Sequence, residues 1–207
     1  MLISSGAPPE RARRRRSRTP SVDGATVSVY EKRAEEWRTR RGGARDALGS
    51  EFRAAAGPGL IADLGCGTGR YFDQIGPPLV GLDVTAAMLG LASHRQTPLV
   101  RGDLEALPFR TGRLEGAFAR HSYLHVPKGR FPAAVGELRR VIRPGGMALL
   151  SMIEGDYQGH ELPDDDFPGR FFAFWTAHEL VAAFEAAGFV DVRTRRDGSG
   201  IVITASC

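Results

Sequence analysis

The chain has 207 residues, 42% of them hydrophobic and 25% charged, which suffices for one α/β domain with a substantial core and excludes a wholly disordered protein. No apolar run reaches the ~18 residues a membrane helix needs, and no apolar stretch follows the basic N-terminal cluster, so neither a membrane span nor a secretory leader is expected. The net charge of +4 belongs to the first 20 residues, where Arg11, Arg13, Arg14, Arg15, Arg16 and Arg18 face only Glu10. The remaining body is close to neutral, which argues against a nucleic-acid-binding face on it. Cys66 and Cys207 are too differently placed for a structural disulfide to be expected, and a reducing cytoplasm fits this pattern.

Residues 1–24 form an Arg-rich tail with Pro8, Pro9 and Pro20 and little apolar content, a composition expected to be disordered. It reads either as an arm that touches RNA or DNA phosphates or as a dispensable extension. The domain proper is expected over residues 25–207. Ser28 and Glu31 form a candidate capping box, and Val27, Tyr30, Ala34 and Trp37 follow at helical spacing, predicting an amphipathic helix over about 28–40. Gly42-Gly43 interrupts it, and a second helical piece is expected over 44–56. After the Gly57-Pro58-Gly59 turn, short apolar runs alternate with helical stretches, the pattern of a doubly wound sheet. Strands are expected at 60–64, 79–83, 98–101, 114–119 and 147–153. Helices are expected from 69 to 75, from 86 to 93 with Thr85 as cap, and from 130 to 142, where Pro144-Gly145-Gly146 stops the chain. Residues 154–172 read as irregular. Thr176 and Glu179 make a second capping box, Gly188 a helix C′ residue, and 189–196 with 200–205 a closing hairpin around Asp197-Gly198-Ser199-Gly200.

The chemistry collects at strand ends. The first strand runs into Asp63-Leu64-Gly65-Cys66-Gly67-Thr68-Gly69. Glycine permits positive φ and lets a ligand lie against bare backbone. The G-x-G-x-G spacing differs by one residue from the G-x-G-x-x-G of NAD-binding folds, which points away from hydride transfer. The second strand ends in Asp83, an acid placed to accept hydrogen bonds from both hydroxyls of a ribose. The third is followed by Gly102-Asp103-Leu104, where an acid beside an apolar residue suits an adenine. The fourth ends in Arg120-His121-Ser122-Tyr123.

In the order and approximate spacing of IADLGCGTGRY, VGLDVTAAML, GDLEALPF, GAFARHSYLHVP and ELRRVIRPGGMALLSM, the chain resembles the class I S-adenosylmethionine-dependent methyltransferases, over residues 28–206. The resemblance implies a Rossmann-like doubly wound sheet of seven strands, the last antiparallel, with helices on both faces. It implies S-adenosylmethionine as cofactor. Gly65, Gly67 and Gly69 would lie along its amino-acid and ribose part, Asp63 would orient that region, and Asp83 would hold the ribose hydroxyls. Asp103 and Leu104 would contact the adenine, and Arg120 the methionine end. The activity implied is methyl transfer to a small-molecule acceptor. RNA methylation and a non-catalytic binding module are the alternatives.

A sulfonium methyl is already activated, so the protein mainly orients and desolvates the partners, and a base is needed only where the acceptor brings a proton. His121 and Tyr123 would share a face toward the pocket if their segment is extended, and both are candidate catalytic residues. His125, before Val126-Pro127, resembles a histidine common at this point in the family and reads as either structural or catalytic. Residues 154–175 are expected to cover the acceptor, with Phe171, Phe172, Phe174 and Trp175 either lining that pocket or filling the core. Asp164, Asp165 and Asp166 are adjacent and cannot all converge on one ion without an irregular backbone, so no metal is expected. The protein is expected to be a monomer or homodimer.

Overall fold

The structure, a computed structural model, describes residues 22–41 and 46–207. Residues 1–21 of the Arg-rich tail, the Gly42-Gly43 break and the start of the helix expected at 44 lie outside the described residues.

Helices α1 (Gly24–Arg41) and α2 (Leu48–Ala56) precede the sheet. Strands β1 (Ile61–Leu64), β2 (Leu79–Asp83), β3 (Leu99–Arg101), β4 (Leu114–Arg120) and β5 (Ile142–Ile153) then alternate with helices α3 (Phe72–Ile75), α4 (Ala86–Ala92) and α5 (Phe131–Val141). After the short β6 (Gln158–Gly159) and β7 (Phe172–Ala173), helix α6 (Ala177–Ala186) leads into β8 (Val190–Asp197) and β9 (Gly200–Ser206). The seven-stranded sheet runs β3-β2-β1-β4-β5-β9-β8. Its first five strands are parallel, and β9, the last, is antiparallel to both β5 and β8. Strands β1, β2 and most of β4 and β5 are buried on both faces, as a sheet covered by crossover helices must be. One apolar cluster packs α5 and α6 against one face, and a second packs α2 and α3 against the other. Strand order reverses between β1 and β4, so their carboxyl ends diverge and open a crevice.

Several boundaries differ from expectation for local reasons. Helix α1 begins at Gly24 because Asp23 accepts hydrogen bonds from the Thr26 amide (2.9 Å) and hydroxyl (3.3 Å). Ser28 and Glu31 therefore lie inside the helix and form no capping box. Glu31 instead reaches across to α4, accepting from the Ala86 and Ala87 amides at 2.8 and 2.9 Å. It supplies the cap that Thr85, whose side chain makes no cap bond there, was expected to provide. Helix α3 is a single turn because the glycine loop occupies the residues before it. Pro144-Gly145-Gly146 does not end α5; the helix passes directly into β5 at Ile142. The register then jumps from Leu114–Ile142 to Gly116–Met147, so those three residues bulge out of the strand. Residues 154–172 are less irregular than expected, since β6 and β7 pair within and after them. The α6 capping box forms as expected: Thr176 Oγ accepts from the Glu179 amide at 3.2 Å and Glu179 from the Thr176 amide at 2.8 Å. Gly188 follows at φ +85°.

Candidate functional site

A cavity of about 550 Å³ lies at the carboxyl ends of β1, β2 and β4, at the strand-order reversal. One half is built by the strand ends, the other by α1 and residues 153–172.

The glycine loop shapes the first half. Gly65, Gly67 and Gly69 all have positive φ, at +76°, +54° and +74°. The Gly65 and Cys66 amides both donate to the Leu82 carbonyl, at 2.7 and 2.9 Å, binding the loop to β2. Gly65 faces the chain itself: a Cβ there would lie 2.2 Å from Ser122 Cβ. Ser122 is fixed by its hydroxyl donating to the Leu64 carbonyl at 2.7 Å. Gly67 faces open space, with nothing within 4 Å of a Cβ. The loop thus presents bare backbone to the cavity at Gly67, a cradle that fits a bound molecule.

Asp83 lies beneath it, accepting from the Gly67 amide at 2.9 Å and the Thr85 amide at 2.8 Å. These two bonds and a third from the Thr85 hydroxyl fix the carboxylate, which keeps part of its acceptor capacity for a ligand hydroxyl. Burial pushes its pKa up against those hydrogen bonds. Asp63 is buried in the same wall, and burial with the nearby Asp83 charge pushes its pKa up to about 8. A carboxyl whose folded pKa exceeds its unfolded one holds a proton that unfolding releases. Stability is therefore expected to fall as pH rises from the ordinary carboxylate range toward about 8. Asp63→Asn should remove that part of the fall, as read by thermal melts at pH 5 and pH 8.

The remaining sequence-predicted residues divide. Leu104 and Gly102 line the cavity, but Asp103 does not; its carboxylate turns back to accept from the Glu105 amide at 3.0 Å. Arg120 lines the cavity while its guanidinium is held by Asp46 (3.1 Å), Asp197 (3.0 Å) and the Tyr71 hydroxyl (3.3 Å). His121 also lines it, with a strained φ of +56° and its amide donating to Ser151. The ring is exposed toward the cavity but surrounded by protein. Desolvation and the Arg120 charge hold its pKa down to about 4.

Tyr123 is a correction. The expectation that it shares a face with His121 required an extended segment, but Tyr123–His125 form a 3₁₀ turn. That turn drives Tyr123 into the core against Phe131, outside the cavity lining. Its hydroxyl has no hydrogen-bond partner among the described residues, and burial pushes its pKa up. Removing an unsatisfied buried hydroxyl costs nothing, so Tyr123→Phe is expected to hold or raise the melting temperature, measured by differential scanning calorimetry.

The same turn brings His125 into the cavity wall. Its Nδ1 lies 2.6 Å from the Phe171 carbonyl and its Nε2 2.9 Å from the Tyr30 hydroxyl. Tyr30 also accepts from Arg170 at 2.9 Å. Arg170 is buried, paired with Asp165, and its guanidinium faces the rings of Tyr30, Trp37, Phe167 and Phe172 at 4.9–5.5 Å. Tyr30 and Trp37, one stripe of α1, line this half, whereas Thr26 and Ala34 are the residues α1 buries. The aromatic run divides its work. Phe172 lines the cavity, Phe171 and Trp175 are core, and Phe174 packs at the core edge. Asp165 and Asp166 answer Arg170 and Arg41. Arg170 was legible as a pocket candidate within the aromatic run, but Tyr30 and their contact were not, because only the tertiary fold brings residues 140 positions apart to one hydrogen bond.

Residues 62–150 match the family model described as a methyltransferase domain. The chain is 34% identical over 101 residues to a malonyl-[acyl-carrier protein] O-methyltransferase of Pectobacterium atrosepticum, covering 46% of this chain and 39% of that protein. It is 30% identical over 161 residues to a trans-aconitate 2-methyltransferase of Deinococcus radiodurans, covering 70% and 59%. The chain thus spans about two fifths to three fifths of the length of these relatives. The 1,6-didemethyltoxoflavin-N1-methyltransferase of Burkholderia thailandensis shares the fold, with a TM-score of 0.68 at 23% identity over 88% of this chain and 87% of that one. Family model, strand order and glycine loop agree: this chain carries a class I S-adenosylmethionine-dependent methyltransferase domain.

Proposed function

We propose that the domain binds S-adenosylmethionine along the glycine loop and transfers its methyl group to a small-molecule acceptor seated between α1 and residues 153–172. The observation that carries this reading is the open backbone at Gly67 directly above the fixed Asp83 carboxylate, at one end of the cavity. Asp83 would take the ribose hydroxyls, Leu104 and Gly102 would pack on the adenine, and Arg120 with His121 would stand toward the methionine end. Asp103 would act through the turn it caps rather than by contact. The bound donor supplies a methyl already activated as a sulfonium. The chain holds the two reactants in line and excludes water, chiefly through α1, whose Tyr30 and Trp37 close over the cavity. The near-neutral body supports a small acceptor over RNA.

Isothermal calorimetry should show binding of S-adenosylmethionine and S-adenosylhomocysteine and none of NAD; the reverse would end this reading. Asp83→Ala should weaken binding by about 1–3 kcal/mol, the loss of hydrogen bonds to a charged group.

A further inference from the structure

The acceptor half of the cavity holds a chain of hydrogen bonds whose directions are fixed by donor chemistry. The Phe171 carbonyl can only accept, so His125 Nδ1 carries the proton of their 2.6 Å bond. Burial, with Arg170 and His121 nearby, holds this imidazole well below its ordinary pKa, at about 4, so the ring is neutral and Nε2 has a free lone pair. The Tyr30 hydroxyl, 2.9 Å away, must therefore donate to it. Arg170 can only donate, and it does so to the Tyr30 oxygen at 2.9 Å. A hydroxyl oxygen has one proton and two lone pairs. Tyr30 has thus used its proton and one lone pair, and the second lone pair remains on an oxygen whose residue lines the cavity.

We propose that Tyr30 takes the proton of the acceptor's nucleophilic hydroxyl while passing its own to His125, so that the acceptor is an alcohol, phenol or enol rather than a carboxylate. The proposal rests on the donor reading above. The acceptor O–H bond breaks and its proton moves to Tyr30 Oη, as the Tyr30 proton moves to His125 Nε2. The acceptor's oxygen pair forms the new O–C bond, and the C–S bond breaks with its pair left on sulfur. Tyr30 is the catalytic residue and His125 acts through it. One positive charge leaves the cavity with the sulfonium and one appears on His125, so the enclosed charge is conserved. The other charged groups facing this chain are Arg170 and its partner Asp165, with Asp83 near Tyr30 and His121 near His125. Arg170 donates to the oxygen on which negative charge develops, and Asp165 balances Arg170. A protonated amine would add a further cation beside Arg170 and the sulfonium. A carboxylate brings no proton and would leave the relay without work.

The test uses the full chain labelled with ¹⁵N-histidine, after calorimetry has established that S-adenosylmethionine and S-adenosylhomocysteine bind. His125 should show a protonated Nδ1 and a bare Nε2, and Tyr30→Phe should move the Nε2 resonance while leaving Nδ1 in place. Its proton affinity should be about 3- to 30-fold lower with S-adenosylmethionine than with S-adenosylhomocysteine, because only the former places a cation in the same cavity. In a panel of phenols, enols and carboxylic acids of similar size, S-adenosylhomocysteine should be released with hydroxyl compounds, at least about tenfold more slowly in Tyr30→Phe. A protonated Nε2 at rest, equal proton affinities in the two complexes, or release with carboxylic acids alone overturns the proposal. If the nucleosides bind and these results appear, the relay fails and the donor reading stands; if neither nucleoside binds, both fail.

Discussion

Replacing Arg170 with alanine should destabilise the protein by about 3–5 kcal/mol, the cost of breaking a buried ion pair by removing one partner. The Asp165 side chain is 4% exposed and that of Arg170 7%, so neither charge has water to fall back on. The same guanidinium also donates to the Phe167 carbonyl at 3.1 Å and the Tyr30 hydroxyl, and packs among four aromatic rings. Urea denaturation at pH 7 measures the loss. The isosteric pair Arg170→Met with Asp165→Asn should recover most of it, because that combination removes both charges together. Recovery of stability in the double variant without recovery of methyl transfer would separate the structural role of Arg170 from its contact with Tyr30.

The second large effect is a contrast between two glycines of one loop. Gly65→Ala should destabilise by about 3 kcal/mol or more: the residue must keep a left-handed φ, and its Cβ would overlap Ser122. Ser122 cannot swing away without losing its bond to the Leu64 carbonyl. Gly67→Ala meets no such obstacle, since nothing lies within 4 Å of its Cβ. Its cost in stability should stay near 1 kcal/mol, the price of a non-glycine residue at φ +54°. Its methyl would occupy the space above Asp83, so donor affinity measured by calorimetry should fall by tenfold or more while the melting temperature moves little. A Gly67→Ala protein that binds S-adenosylmethionine normally would mean that the donor lies elsewhere.

The strand ends were the legible part of this site. Asp63, the glycine loop and Asp83 are neighbours because β1 and β2 pair in parallel with Asp63 beside Gly81, a consequence of short buried runs that each end in an acid or a glycine turn. Arg120 and His121 follow the same logic at the end of β4 and line the cavity. Tyr123 was misplaced because alternation holds only for extended chain, and the chain leaves the strand after Arg120, at the left-handed His121, to form a turn. Asp103 lies outside the cavity lining, with one carboxylate oxygen turned back to a local amide. Glu31 read as part of a local cap, yet its partners are 55 and 56 residues away.

By itself, the amino-acid sequence determined the alternation of the seven main strands with their helices, the closing hairpin and the loop that would cradle a nucleoside. Those features depend on periodicity, glycine and caps, which act over a few residues. The tertiary structure decided how the cavity half opposite the glycine loop is assembled, where Tyr30 of α1, His125 after β4 and Arg170 before β7 form one hydrogen-bonded chain. Side chains so distant in sequence meet only when packing carries their elements together, and no local pattern records that meeting.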